Sequence, residues 1–156
     1  MDTPSLQEQL LALLHRFRQA MKQDLSVGES NINAMHILML GTIGDNAPCT
    51  ANTIARLTRR DKAQVTRLLK ELLAMGLVHR QANPDDKRSH WLHPTAAGSA
   101  LMQRVGQTRE RVCREICRGL SPAEQQQFQH IAGLMLANLD RLLQAPAAAA
   151  DEDQHG

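Results

Sequence analysis

Residues 83 to 98, NPDDKRSHWLHPTAAG, gather two carboxylates, two cations and two histidines around the single tryptophan of the chain. His90 and His93 form an H-x-x-H, which on a helix would turn both imidazoles to one side as metal ligands. Here they flank Trp91 and Leu92 in a segment that reads as a strand, where side chains alternate and positions three apart face opposite ways. They are not expected to share an ion, although His79 on the neighbouring strand could join one of them. Packed or solvated strand histidines are the preferred reading, and no metal is expected. Catalysis finds no better support. The sequence holds no Gly-x-Ser-x-Gly elbow, phosphate loop, dinucleotide fingerprint or metalloprotease helix motif. Its paired carboxylates fall only in this turn and in the final residues. Neither an enzyme nor a cofactor is expected.

The thiols are the other reactive groups. Cys49, Cys113 and Cys117 form an odd set without zinc-finger or C-x-x-C spacing, which predicts free thiols in a reducing compartment. Cys113 and Cys117 lie one turn apart on one side of a predicted helix, beside Val112 and Ile116, and two cysteines within one helix are poorly oriented for a bridge. Nearby Arg111, Arg114 and Arg118 would favour a reactive thiolate; the apolar neighbours favour buried, inert thiols instead. Cys49, after Pro48 at a helix start, is a weaker redox candidate. No stretch approaches the ~18 consecutive apolar residues of a membrane span, and MDTPSLQEQ lacks a signal-peptide pattern, so the expected location is cytoplasmic, with no membrane partner.

Charge is more informative in its distribution than in its total. The formal net charge is only +2, yet residues 56 to 90 carry nine Lys and Arg against four Asp and Glu, a local excess of five. Such a basic footprint is what polyanion binding uses, and the remainder of the chain is net acidic.

The elements that must position these groups follow from hydrophobic period and capping. The 156 residues suit one domain, and with only 2% aromatic residues the core must be built from Leu, Ile, Val, Met and Ala, which points to an α-rich fold. Thr3 and Pro4 read as the cap and first position of a helix carrying Leu6, Leu10, Leu13, Leu14, Phe17 and Met21 at three- and four-residue steps. After SVGES, a second helix runs from residue 31 to about 40 and is stopped by the segment 41–48. Thr50 caps a short helix with Ile54 and Leu57 as its apolar residues. Asp61, with Gln64 three positions on, caps a helix over 62–75 whose inner face is Val65, Leu68, Leu69 and Leu72, ending at Gly76. Two helices joined by a tight turn, the second basic, form a helix-turn-helix pattern. Strands at 77–81 and 89–93 make a hairpin around Asn83-Pro84-Asp85-Asp86, anchored by Trp91 or Leu92. Thr95 then caps a long helix with Leu101, Val105, Val112 and Ile116, ending near Gly119. Ser121-Pro122-Ala123-Glu124 opens a last helix with Phe128, Ile131, Met135, Leu139 and Leu142 inward.

On helix 62–75 the face opposite the core shows Ala63, Gln64, Thr66, Arg67 and Lys70. An α-helix fits the DNA major groove, where Arg bonds guanine O6 and N7 and Gln bonds adenine N6 and N7. The first half of such a helix reaches base edges, which assigns base contacts to Gln64, Thr66 and Arg67 and phosphate contacts to Lys62 and Lys70. The hairpin tip carries Lys87 and Arg88 beside Asp85 and Asp86. A projecting Arg can enter the narrow, negative minor groove while a preceding acid holds its guanidinium.

The run ANTIARLTRRDKAQVTRLLKELLAMGLVHRQANPDDKRSHWLHPTAAG resembles the winged helix-turn-helix of the MarR family of bacterial transcription regulators. The resemblance is carried by L-x-x-x-G-L-V-x-R (Leu72, Gly76, Leu77, Val78, Arg80), the wing's D-K-R (Asp86, Lys87, Arg88) and T-x-x-G (Thr95, Gly98). Pro94 stands where the family usually has Leu, which the turn accommodates. The resemblance implies a mainly α fold with a small β-hairpin wing: a winged helix-turn-helix over 31–98 and a helical dimerisation region over 1–30 and 99–144. The tail over 145–156 has no periodicity and ends acidic, which predicts disorder. The resemblance also implies a homodimer on a palindromic operator in double-stranded DNA, with Arg88 in the minor groove and Asp86 supporting the wing. The family commonly represses its targets and is released by a small, often phenolic, ligand; His15, Phe17, His36 and Met39 are the candidate pocket residues. One subfamily senses oxidants through a cysteine near the start of the chain, which is not carried over because none precedes Cys49. The rival readings are a thiol switch through Cys113 and Cys117, and a winged helix that binds proteins instead of DNA.

Overall fold

The computed structural model describes residues 4–25 and 32–144. The expected Thr3 cap, the SVGES linker and the 145–156 tail lie outside them. Six helices and one hairpin follow in the order α1 (Leu6–Leu25), α2 (Ala34–Asn46), α3 (Ala51–Thr58), α4 (Lys62–Ala74), β1 (Val78–Ala82), β2 (His90–Pro94), α5 (Ala96–Ile116) and α6 (Pro122–Gln144). The fold is mainly α with a small antiparallel hairpin, a winged helix.

Helix starts follow local chemistry. α1 begins two residues later than Thr3-Pro4 suggests, because Ser5 supplies the cap: Glu8 N–H donates to Ser5 Oγ at 3.3 Å and the Glu8 carboxylate accepts from Ser5 N–H at 2.8 Å. Thr50 caps α3, accepting from Thr53 N–H at 3.3 Å, and Asp61 caps α4, accepting from Gln64 N–H at 2.9 Å.

α2 departs from expectation at its end. It continues through Gly41 and Gly44 to Asn46, past the predicted stop. A helical glycine costs about 1 kcal/mol relative to alanine, but the extra turn buries Ile43 completely beside Met39 and Leu40. Burying such a side chain is worth ~1.5–3 kcal/mol, so packing overrides the local signal. At Gly41 the missing side chain also makes room for α5, since a Cβ there would lie 3.2 Å from Met102 Cε.

The chain divides after Cys113 into two units. In the first, α2, α3, α4 and the hairpin pack around Met39, Leu40, Ile43, Ile54, Val65, Leu68, Leu69, Leu72, Val78 and Leu92, with Leu101 and Val105 of α5 in the same core. Leu57 is 46% exposed, so α3 is anchored by the buried Ile54, with Ala55 packed beside it. Each strand lies one residue later than predicted, in a register that pairs Val78 with Pro94 and Ala82 with His90. Leu92, not Trp91, anchors the hairpin: it is buried, and its N–H donates to the carbonyl of Cys49 at 2.8 Å.

In the second unit, Ser121 and Glu124 close the expected capping box at the start of α6. The expected inward face of that helix is not covered. Phe128, Ile131, Leu139 and Leu142 are exposed and Met135 is half-buried, because no residue of α6 is buried within the single chain. Ile116, expected inward on α5, is likewise exposed. Among the described residues no helix is long and apolar enough to cross a membrane.

Candidate nucleic-acid interface

α4 turns Val65, Leu68, Leu69 and Leu72 into the core and leaves Lys62, Ala63, Thr66, Arg67 and Lys70 exposed, with Gln64 half-buried. The 100° step between residues produces this division. Three side chains of the outer face are already oriented. Thr66 Oγ1 donates to the Lys62 carbonyl at 2.7 Å, so its methyl and lone pairs remain available. Gln64 Oε1 accepts from Arg60 at 3.5 Å, and Arg67 Nη1 donates to Glu71 Oε1 at 3.1 Å.

α3 ends at Arg59, whose left-handed backbone (φ 51°) sends its N–H to the carbonyls of Ala55 and Arg56. That one residue reverses the chain so that the cap of α4, Asp61, follows two positions later, the tight turn of a helix-turn-helix.

The hairpin turn is built from side-chain bonds, two to backbone and one to a side chain. Asn83 Oδ1 accepts from Asp85 N–H at 3.0 Å, Asn83 Nδ2 donates to Ser89 Oγ at 2.7 Å, and Asp86 Oδ1 accepts from Arg88 N–H at 2.9 Å. Asp86 therefore fixes the backbone under Arg88, where the sequence suggested a grip on its guanidinium. The reason is local: an acid two residues ahead of an N–H closes a turn onto it at once. Lys87 and Arg88 project exposed from the tip.

The histidines of this stretch separate as alternation requires. His90 is exposed, while His93 pairs in register with His79 and the two rings stack, centroids 5.2 Å apart. Among the described residues no three His, Cys, Asp or Glu side chains converge as a metal-holding group.

A sequence model described as the MarR family matches residues 30–89, from just before α2 through the hairpin turn. The helix order, the turn and the wing described above are those of that segment. The winged-helix segment belongs to the MarR family. Its relatives include the uncharacterized HTH-type transcriptional regulator YhjH of Bacillus subtilis, 33% identical over 81 residues that make up 51% of this chain and 46% of YhjH. A putative transcriptional regulatory protein for the hcr operon of Thauera aromatica is 28% identical over 86 residues, 55% of this chain and 52% of that protein. The chain thus spans about half the length of the curated relatives it matches. Among solved structures, the S. aureus MepR–DNA complex superposes with a TM-score of 0.71 at 21% identity, over 87% of this chain and 99% of MepR. A mutant MarR from E. coli complexed with operator DNA gives 0.68 at 23% identity, over 84% and 93%. At these identities the likeness is one of fold.

The MarR-family signature residues have steric reasons here. Gly76 takes the left-handed conformation (φ 69°) that stops α4, and the buried Leu77 and Val78 follow it directly into the core. Thr95 donates its N–H to the Leu77 carbonyl at 3.0 Å and its hydroxyl to the Gly76 carbonyl at 2.6 Å, and accepts from Gly98 N–H at 3.1 Å. A Cβ on Gly98 would lie 2.1 Å from the Leu77 carbonyl oxygen, so T-x-x-G describes a junction that no other residue fits. Pro94 ends β2 in register with Val78, and a Cβ on Gly44 would lie 3.8 Å from its ring.

The candidate pocket residues are not equally open to a ligand. His15 is exposed and Phe17 half-buried on α1, but Met39 is wholly enclosed in the core. His36 is buried with both ring nitrogens engaged: Nδ1 accepts from Asn33 N–H at 3.2 Å, closing the capping box of α2, and Nε2 bonds Glu71 at 2.6 Å. The thiols differ as well. Cys49 is buried, and burial pushes its thiol up, whereas Cys113 is exposed and Cys117 half-buried. Apolar neighbours in sequence did not bury Cys113. Two of the arginines expected to activate these thiols are engaged with acids, Arg111 with Asp24 and Arg118 with Glu115.

Sequence reasoning missed Glu71, Asn33 and Asp24. The first two left traces, Glu71 four residues after Arg67 and Asn33 three before His36, both local spacings. The meeting of His36 with Glu71, 35 residues apart, left none.

Proposed function

We propose that the protein is a dimeric, sequence-specific DNA-binding transcriptional regulator, acting as a repressor of its targets. The observation that carries this is the pairing of two exposed basic surfaces on one rigid frame. The outer face of α4 presents Lys62, Gln64, Thr66, Arg67 and Lys70, and the bonded turn beside it projects Lys87 and Arg88. A helix of this kind suits the major groove and a projecting Arg suits the minor groove. MepR and MarR, which share the fold, have been solved with DNA.

In this reading Gln64, Thr66 and Arg67 meet base edges, Lys62 and Lys70 meet phosphates, and Asp86 shapes the turn that delivers Arg88. Dimerisation falls to α1, α5 and α6. α1 exposes Leu6, Leu10, Leu11, Leu13 and Leu14, and α6 exposes Leu134, Leu136, Leu139, Leu142 and Leu143. Apolar surface of this extent marks an interaction face, and a second copy covering it would place two α4 helices on a palindrome. A small phenolic effector, which the family resemblance implies, would meet His15 and Phe17 first.

The test is selection of bound sequences from random DNA by the full chain, followed by gel shifts at two salt concentrations and transcription measured with and without the protein. A palindrome with half-sites about one helical turn apart is expected, with binding that weakens steeply with salt and target transcription that rises when the protein is absent. Failure to select any sequence, or a shift indifferent to salt, rejects the reading in favour of a protein-binding winged helix.

A further inference from the structure

One polar contact on the outer face of α4 reaches out of its own helix. Glu71 divides its two oxygens: Oε1 accepts from Arg67 Nη1 at 3.1 Å, and Oε2 meets Nε2 of His36 on α2 at 2.6 Å. His36 is 4% exposed. Its Nδ1 accepts from Asn33 N–H at 3.2 Å, which leaves Nε2 as the nitrogen that carries hydrogen and donates to Glu71. Asn33 in turn holds the Met35 and His36 N–H groups through Oδ1, at 2.9 and 3.1 Å. The chain of bonds therefore runs from the cap of α2, through a buried ring that cannot turn without opening that cap, to a carboxylate that holds Arg67.

Helix stability alone gives little reason for this arrangement. Arg before Glu at four-residue spacing is the weaker order of that pair, and an acid entering the last turn of α4 opposes the helix dipole. An exposed ion pair of this kind does not by itself fix an arginine; a carboxylate tied to a buried ring can. We infer that Glu71 and His36 are positioning residues for Arg67, holding its guanidinium in the orientation that sets base preference. The bond to Glu71 uses one of the five N–H donors of Arg67 and leaves the others for a base. This rests on the DNA-binding function proposed above.

The test uses the full chain and the selected operator, with single-base variants of it, titrated against R67A, E71A, E71Q, H36Q and the R67A/E71A double variant. R67A is expected to lose discrimination at one base pair per half-site, by about tenfold. E71A should lose it at the same base pair although Arg67 is intact, while binding random-sequence DNA no more weakly than the wild type, since an acid has been removed beside the phosphates. The double variant should discriminate no worse than R67A. H36Q keeps a residue able to close the capping box but takes the ring from Glu71, and should lose part of the preference; E71Q keeps a single acceptor oxygen, so it can hold Arg67 or the ring but not both, and should likewise retain only part of it. A folded E71A with wild-type base preference overturns the inference, as do losses that multiply in the double variant. A uniform fall in affinity across all sequences also overturns it, since that is the mark of a structural role only. If the wild type itself selects no sequence, the DNA-binding reading fails and takes this one with it.

Discussion

Each side chain on the outer face of α4 and on the wing has a separable expected effect. Arg67→Ala should cost about 1–3 kcal/mol at the operator and relax preference at one base pair, read by titrating operator variants. Lys62 and Lys70 changed singly to Ala should instead weaken all sequences alike and lower the slope of log affinity against log salt by about 1 for each phosphate left without its lysine. A lysine substitution that altered base preference would refute its assignment. The thiols form a second series. Cys113 is open to solvent, while Cys49 is enclosed and its thiol pushed up by burial. A maleimide should therefore label Cys113 first and Cys49 last, as mass spectrometry of the native protein would show; early labelling of Cys49 would contradict its burial. At this scale the sequence disclosed residue types and helical faces, because both depend on neighbours three and four positions away. It did not disclose that Asp86 would bind a backbone N–H in preference to a guanidinium, nor that His36 would be occupied by Glu71, since those depend on where the folded chain brings each partner.

Elements held by local rules were legible, and those held by packing were not. Asp61 and Gly76 bound α4 as read, because a cap acts on N–H and C=O groups within its own turn. α2 outran its apparent stop since the burial of Ile43 outweighed two glycines. The junction between α4 and α5 yields a test of this balance. Gly98→Ala forces a Cβ into the Leu77 carbonyl, and overpacking of this kind costs about 1–3 kcal/mol or more, which should appear as a lowered urea midpoint. An unchanged midpoint would mean that the junction relaxes freely. α1 depends on a different attachment, the pairing of Asp24 with Arg111. The bond from Arg111 holds the Asp24 carboxyl below the usual carboxylate range, against the opposing effect of partial burial and with help from Thr108. A lowered value means that this attachment is complete above the ordinary carboxylate range and is lost as pH falls through the lowered one. Amide exchange in α1 should accelerate on acidification, and Asp24→Asn should make it fast at every pH. A wild-type exchange profile in that variant would show that the pair does not hold α1.

The surface of the whole molecule is where one chain stops explaining itself. Phe128, Ile131, Leu139 and Leu142 carry the spacing of an inward face, and the sequence read them so, yet none is buried. The pattern reports that these residues are to be covered and is silent about which chain covers them. Leu139→Glu with Leu142→Glu should therefore yield a smaller species in sedimentation and abolish cooperative binding to a palindrome while leaving the winged helix folded by circular dichroism. An unchanged sedimentation coefficient would show that α6 meets no second copy. The Thr95 junction has a mechanical meaning for such an assembly. With two bonds from Thr95 and a glycine pressed on a carbonyl, the start of α5 is tied closely to the exit of α4. Under the function proposed above, a tilt of the first turns of α5 would be passed through this junction to the face of α4 that meets DNA.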